Sequence, residues 1–297
     1  MTRWWAAGPG SPPTHPGRPR RLQVVALPAR RPLTPASHAR AGWGRYAARV
    51  ESTPTRTSRP LVSARTAAVW AVLRRELARR AGQELTVLDV GGGTGGFAVP
   101  LAEAGHTVTV VDASPDALAA LTRRAADAGV AGKVRAVQGD GDALAGLVGP
   151  ASVDLILCHS VLEVVDDPAG VVAAIATALR PGGAVSLLVA GRAAAVLGRA
   201  LNGHLGAAKA LLNDPDGHAG ARDNLRRRYD AETAVALLSE AGLTVEETHG
   251  VRVLADLLPA AVLEADPQAL LELELALAAR PPFRDIASQL HLFARRP

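Results

Sequence analysis

The 297-residue sequence predicts an α/β fold: a doubly wound, mostly parallel seven-stranded sheet with helices on both faces. Three observations predict it. From about residue 64 onward, short apolar runs of strand length alternate with helical patterns. The run Leu85 to Val90 breaks into Gly91-Gly92-Gly93-Thr94-Gly95-Gly96, and a helical pattern starts at about Phe97; such a turn lets backbone approach a ligand closely. The next apolar run, Thr107 to Val111, ends in Asp112, where an acid can accept hydrogen bonds from both hydroxyls of a ribose.

Taken in order, residues 1–60 hold 10 of the 21 prolines and 11 arginines against one acid, Glu51. They read as a disordered basic tail with no secretory signal, either a non-functional extension, a start placed too far upstream, or an arm for an anionic partner. Residues 61–297 read as one domain. A helix over about Ala64 to Ala81 carries the apolar stripe Val69, Trp70, Val72, Leu73 and Leu77, and Arg65 falls in its first turn. After Asp112, Ser114-Pro115 caps a helix running to about Ala128. A third strand, Val134 to Gln138, enters the acidic turn Gly139-Asp140-Gly141-Asp142. The strand Val153 to Ser160 places His159 at its cofactor-facing end. A helix then runs from Pro168 to about Leu179, and the turn Pro181 to Gly183 feeds a strand over Ala184 to Val189. Residues 190–229 read as an insertion over the substrate, with one helix from Ala193 to Leu212 and a basic run, Arg226 to Arg228. A helix over residues 231–241 follows. Strands at about Leu243 to Leu254 and Ser288 to Phe293 flank a helical pair.

Composition limits the function. The tail carries the basic charge, and the remaining residues are net acidic although the whole chain is +5. No apolar run approaches the roughly 18 residues of a membrane span. The single cysteine, Cys158, excludes an internal disulfide or a cysteine zinc site, no metal is expected, and a reducing cytoplasm is the simple expectation. Cys158 itself reads as a buried apolar residue.

Gly91, Gly93 and Gly96 satisfy the G-x-G-x-x-G spacing, so the turn alone leaves a nicotinamide-dependent oxidoreductase open. Three further features favour S-adenosylmethionine. Asp89 lies two residues before the first glycine, where a carboxylate can reach the ammonium of a methionine moiety. Asp140 or Asp142 offers an acid to an adenine amino group. Leu179-Arg180-Pro181-Gly182-Gly183 is a turn before another strand. In this order the motifs resemble those of class I S-adenosylmethionine-dependent methyltransferases, which implies a Rossmann-like fold and that cofactor, held by Asp89, Gly91, Gly92, Gly93, Gly95 and Asp112. A small-molecule O- or N-methyltransferase and a non-catalytic S-adenosylmethionine-binding protein are alternatives within that fold.

A closer resemblance covers about residues 62–297. It rests on Leu155-Ile156-Leu157-Cys158-His159-Ser160-Val161-Leu162-Glu163, on Leu179 to Leu187 and on Gly250-Val251-Arg252-Val253, extended by Leu270-Leu271-Glu272-Leu273-Glu274 and by Gln289 to Arg295. These blocks resemble the bacterial tRNA 5-carboxymethoxyuridine methyltransferases. The resemblance implies methyl esterification of a carboxymethoxy group on a tRNA wobble uridine. It places cofactor contacts at Arg65, Gly91, Gly92, Asp112, Gly141, Asp142 and His159. The segment around Arg65 and the composition of the acidic turn depart from that family. Arg252 is the residue expected to pair with the acceptor carboxylate, with an ion pair to Asp256 as its competing role. Glu163 and Asp166 are expected as capping or solvated residues.

Overall fold

The computed structural model describes residues 64–140, 144–220 and 223–297. The basic tail, Gly141, Asp142 and Arg222 lie outside the described residues.

Seven strands form one sheet: β1 (Thr86–Val90), β2 (Thr107–Asp112), β3 (Val134–Gln138), β4 (Val153–His159), β5 (Leu179–Ala190), β6 (Thr244–Val251) and β7 (Gln289–Arg295). Their order is β3-β2-β1-β4-β5-β7-β6, and β7 alone is antiparallel to its neighbours. The chain winds outward from β1 in one direction and from β4 in the other. Ligands bind at that reversal, outside the carboxyl ends of the strands. Register sets the level of the site. Val90 pairs with both Val111 and Cys158, so the next residues, Gly91, Asp112 and His159, emerge together.

Strand alternation builds a core on each face of the sheet. Val87, Leu155 and Leu157 point to a cluster with Leu73 of α1 (Ala67–Arg79), Leu101 of α2 (Ala98–Glu103) and Leu121 of α3 (Pro115–Asp127). Leu88, Ile156 and Leu187 point the other way, to Ile175 of α5 (Pro168–Ala178) and Leu238 of α8 (Ala231–Glu240). The short α4 (Leu144–Leu147) was not foreseen. Local signals place the caps: Ser114 Oγ accepts from Ala117 N at 3.2 Å, and Asp167 accepts from Gly170 N at 2.9 Å.

Three expectations are corrected. The single helix over Ala193 to Leu212 is two, α6 (Arg192–Leu201) and α7 (Leu205–Asn213), because Gly203 adopts φ +79° and closes the first. The expected turn at Pro181 to Gly183 lies inside β5. There Gly182 N bonds Arg296 O at 2.8 Å, and Arg296 N bonds Gly183 O at 2.9 Å. Arg65 sits exposed in the turn before α1, whose first residue is Ala67. The late helical pair is α9 (Ala260–Ala265) and α10 (Pro267–Ala278). Among the described residues no helix is long and apolar enough to cross a membrane.

Candidate cofactor and acceptor site

The glycine turn is built around two carboxyls. Gly91 has φ +67° and its N–H donates to Val111 O at 2.7 Å, tying the turn to β2. A Cβ on Gly92 would lie 2.6 Å from the Asp89 carboxyl and 2.9 Å from Val110, so no side chain fits there. Gly95 is buried and faces Leu121, so it packs the turn onto α3. Asp112 braces the same turn from β2. Its Oδ2 accepts from Gly93 N at 2.8 Å and its Oδ1 from Ser114 N at 2.8 Å, leaving further lone pairs for a diol.

Asp89 is 2% exposed beneath Gly92. Burial, and then the charge of Asp112, push its carboxyl up to about 7. Among the described residues no group hydrogen-bonds it. A buried acid without a partner, under backbone with no room for a side chain, is complementary to a small cation such as an ammonium. The donor and acceptor set therefore fits the methionine and ribose ends of S-adenosylmethionine. Asp140 is exposed just past the end of β3.

The raised Asp89 carboxyl predicts a pH dependence. Its folded-state value lies above the unfolded value of about 4, so the folded protein holds the extra proton between roughly pH 4 and 7. The cofactor-free protein loses stability as pH rises through that window. An ammonium favours the ionised acid, so cofactor affinity should fall by up to about tenfold between pH 7 and pH 6. Calorimetric titration of S-adenosylmethionine across that range checks this, with Asp89→Asn expected to bind weakly and without the pH step. Equal affinities at both pH values would remove Asp89 from the site.

His159 closes the turn from β4. Its Nε2 is 2.9 Å from Ser186 Oγ, which lies 2.8 Å from His291 Nε2 on β7. Its ring meets Phe97 edge-on at 4.7 Å, and Phe97 stacks on Trp70 at 5.0 Å. Burial lowers the imidazole to about 4, so it is neutral at pH 7 and only a weak base.

Beside these strand ends lies a cavity of about 310 Å³, walled by Ser160, Glu163, Arg228, Arg252 and Gln289 together with Ala194 of α6. Residues 190–229 thus supply part of its wall. Ser160 (φ +57°) and Arg252 (φ +59°) both hold the left-handed conformation, a strain that non-glycine residues keep where surrounding structure imposes it. Ser160 Oγ accepts from Gln289 Nε2 at 3.0 Å. The guanidinium of Arg252 does pair with Asp256, yet its buried Nε has no partner. Glu274 of α10 fixes the backbone that follows, accepting from Val253 N, Leu254 N and Ala255 N at 2.7–2.9 Å. A separate cavity of about 410 Å³, reached from Thr86 at the opposite end of β1, carries none of these groups.

Glu163 corrects the sequence expectation. It is 2% exposed and is neither solvated nor a helix cap. Asp166 is exposed and ion-paired with Arg226, as a solvated residue would be. The sequence offered one overlooked sign of Glu163: it is the only polar residue within Val161 to Val165. Ser186, Gln289 and Glu274 fall within the blocks that carry the resemblance, but nothing local shows what they bond. Their partners lie in other strands and loops.

Comparison with known proteins agrees with this geometry. The methyltransferase domain family matches residues 88–187. The chain is 33% identical over 234 residues to the tRNA 5-carboxymethoxyuridine methyltransferase of Escherichia coli (strain K12), covering 78% of this chain and 88% of that protein. It is 35% identical over 166 residues to the ubiquinone biosynthesis O-methyltransferase of Xylella fastidiosa (strain 9a5c), covering 56% of this chain and 63% of that protein. The crystal structure of an S-adenosylmethionine-dependent methyltransferase from Mesorhizobium loti superposes with TM-score 0.54 at 22% identity, over 77% of this chain and 98% of that one. With the glycine turn, its paired acids and this extent of identity, the chain belongs to the class I S-adenosylmethionine-dependent methyltransferases, in the same family as the Escherichia coli tRNA 5-carboxymethoxyuridine methyltransferase.

Proposed function

We propose that the enzyme methylates a carboxylate oxygen of a carboxymethoxy-substituted wobble uridine in tRNA, giving a methyl ester. The observation that carries the carboxylate is the wall of the 310 Å³ cavity, where a strained Arg252 keeps a buried Nε without a partner beside the cofactor-facing strand ends. Arginine matches a carboxylate well. The tRNA acceptor is supported by the relative matched over 88% of its length.

Asp89 takes the ammonium, Asp112 the ribose, and the backbone of Gly91 to Gly93 the close approach. Asp140 or Asp142 meets the adenine, and Arg65 and His159 border the bound cofactor. Bound S-adenosylmethionine supplies a methyl already activated on sulfonium, so an acceptor oxygen's lone pair forms the new C–O bond while the C–S pair stays with sulfur, and no proton moves. A carboxylate is ionised near neutral pH and needs no base. The neutral His159 is consistent with that, and catalysis is chiefly a matter of orientation.

The test is transfer of labelled methyl from S-adenosylmethionine to bulk tRNA carrying the carboxymethoxy nucleoside. Label should enter tRNA and be released by mild alkali, as a methyl ester is. Arg252→Ala should raise the acceptor KM by about ten- to a hundred-fold, the cost of a charge-assisted hydrogen bond. Alkali-stable label would sink the ester. Absence of label would turn the assignment toward small O-acceptors, the class that the name of the second relative implies.

A further inference from the structure

We propose that Glu163 binds the acceptor as a neutral carboxylic acid, so that its Oε2–H and the Nε–H of Arg252 hold the acceptor's carboxylate from two walls of one cavity. This rests on the carboxylate reading above. It adds a second, uncharged donor to the site.

The geometry dictates which oxygen holds the proton. Oε1 accepts from Ala190 N at 2.6 Å, so its lone pair is committed to the backbone of β5. Oε2 is buried, without a partner, on a side chain that lines the cavity. A proton on Oε2 leaves both oxygens in their proper roles and turns Oε2 into a donor. The cations nearby are already matched. Arg228 is bound to Asp223 through two nitrogens, Arg226 pairs with Asp166, and Arg252 pairs with Asp256. Of the other titratable neighbours, the Cys158 thiol and the Tyr229 hydroxyl are both pushed far up by burial, and His159 is held neutral. Glu163 therefore has no counter-ion of its own, and burial pushes its carboxyl up to about 7. An ionised Glu163 would repel an incoming carboxylate, whereas a neutral one donates to it. Glu163 and Arg252 both line the cavity and each keeps a buried polar atom without a partner; with Oε2 protonated both atoms are donors, which suit an oxyanion better than a cation or an apolar ring. During transfer the acceptor oxygen forms the new C–O bond, the C–S bond breaks toward sulfur, and the Glu163 proton stays on Oε2.

The probe is phenoxyacetate, which carries the aryloxyacetate group without nucleic acid. Its affinity for the full chain saturated with S-adenosylhomocysteine is measured by calorimetry at pH 6.0 and pH 8.5. Binding to the wild type should weaken at least about tenfold at the higher pH, the linkage expected for losing one proton. Glu163→Gln, whose amide donates at any pH, should abolish the difference, which a merely structural role would not. Because Asp89 is unchanged in that variant, its titration cannot mimic the result. Equal wild-type affinities at the two pH values, absence of binding at both, or a Glu163→Gln profile that follows the wild type would each overturn the assignment. The two proposals fail separately. Alkali-labile label on tRNA with pH-independent probe binding overturns the role of Glu163 alone. A pH-dependent probe without label on tRNA supports that role and overturns the tRNA acceptor.

Discussion

Asp112→Ala is expected to weaken S-adenosylmethionine binding by about ten- to a hundred-fold, since a charge-assisted hydrogen bond is worth roughly 1.5–3 kcal/mol. The structure makes the upper end the better expectation. Asp112 holds Gly93 N and Ser114 N, and in the proposed binding mode it also takes the ribose. Its loss therefore removes ligand contacts and, at the same time, frees the turn that must approach the cofactor. Asp112→Asn keeps one carbonyl oxygen and should fall between the two. Calorimetric titration gives the affinities, and a thermal melt of each cofactor-free variant separates loosened backbone from lost contact. Wild-type affinity in Asp112→Ala would mean that the cofactor does not lie along β2.

The largest effect on stability should come from Glu274→Ala. Glu274 is 3% exposed and accepts from three successive N–H groups, those of Val253, Leu254 and Ala255. Each buried donor left unpaired costs about 1–3 kcal/mol, and partial relaxation makes about 3–5 kcal/mol a reasonable total. At roughly 2–4 °C per kcal/mol for a domain of this size, the melting temperature should drop by about 8–15 °C. Since the caged residues directly follow Arg252, the acceptor KM should rise in Glu274→Gln even where the protein stays folded. A change in melting temperature within 2 °C of the wild type, on the order of the smallest shift per kcal/mol, would show that the cage contributes little.

The parts legible in the sequence are those specified by neighbours along the chain. β3 (Val134–Gln138) is found at its predicted bounds, Ser114 caps the helix it was expected to cap, and the glycine turn joins β1 to α2 where the glycines stand. The positions of Asp89 and Asp112 beside the glycine turn followed from the same logic, because register needs only the length of each apolar run. What escaped depends on partners distant in sequence. Glu163 looked like a surface acid, yet its side chain accepts from Ala190 N, 27 residues on. The Pro181 to Gly183 segment looked like a turn because its pairing with Arg296 cannot be seen locally. The break at Gly203 was visible, but a glycine inside an apolar helical pattern costs only about 1 kcal/mol, too little to decide between one helix and two.

The histidines that meet at Ser186 have one consequence for the whole sheet. Among the described residues Ser186 Oγ bonds only His159 and His291, each through Nε2. A hydroxyl has one proton, so it satisfies that proton by giving it to one ring while the other ring gives Nε2–H to the oxygen. The two imidazoles then hold opposite tautomers: one carries its hydrogen on Nε2, the other on Nδ1. Both Nδ1 atoms are buried and unpartnered. The tautomer of His159 on β4 is thereby tied to that of His291 two strands away through one hydroxyl, and neither ring can hold the other's arrangement.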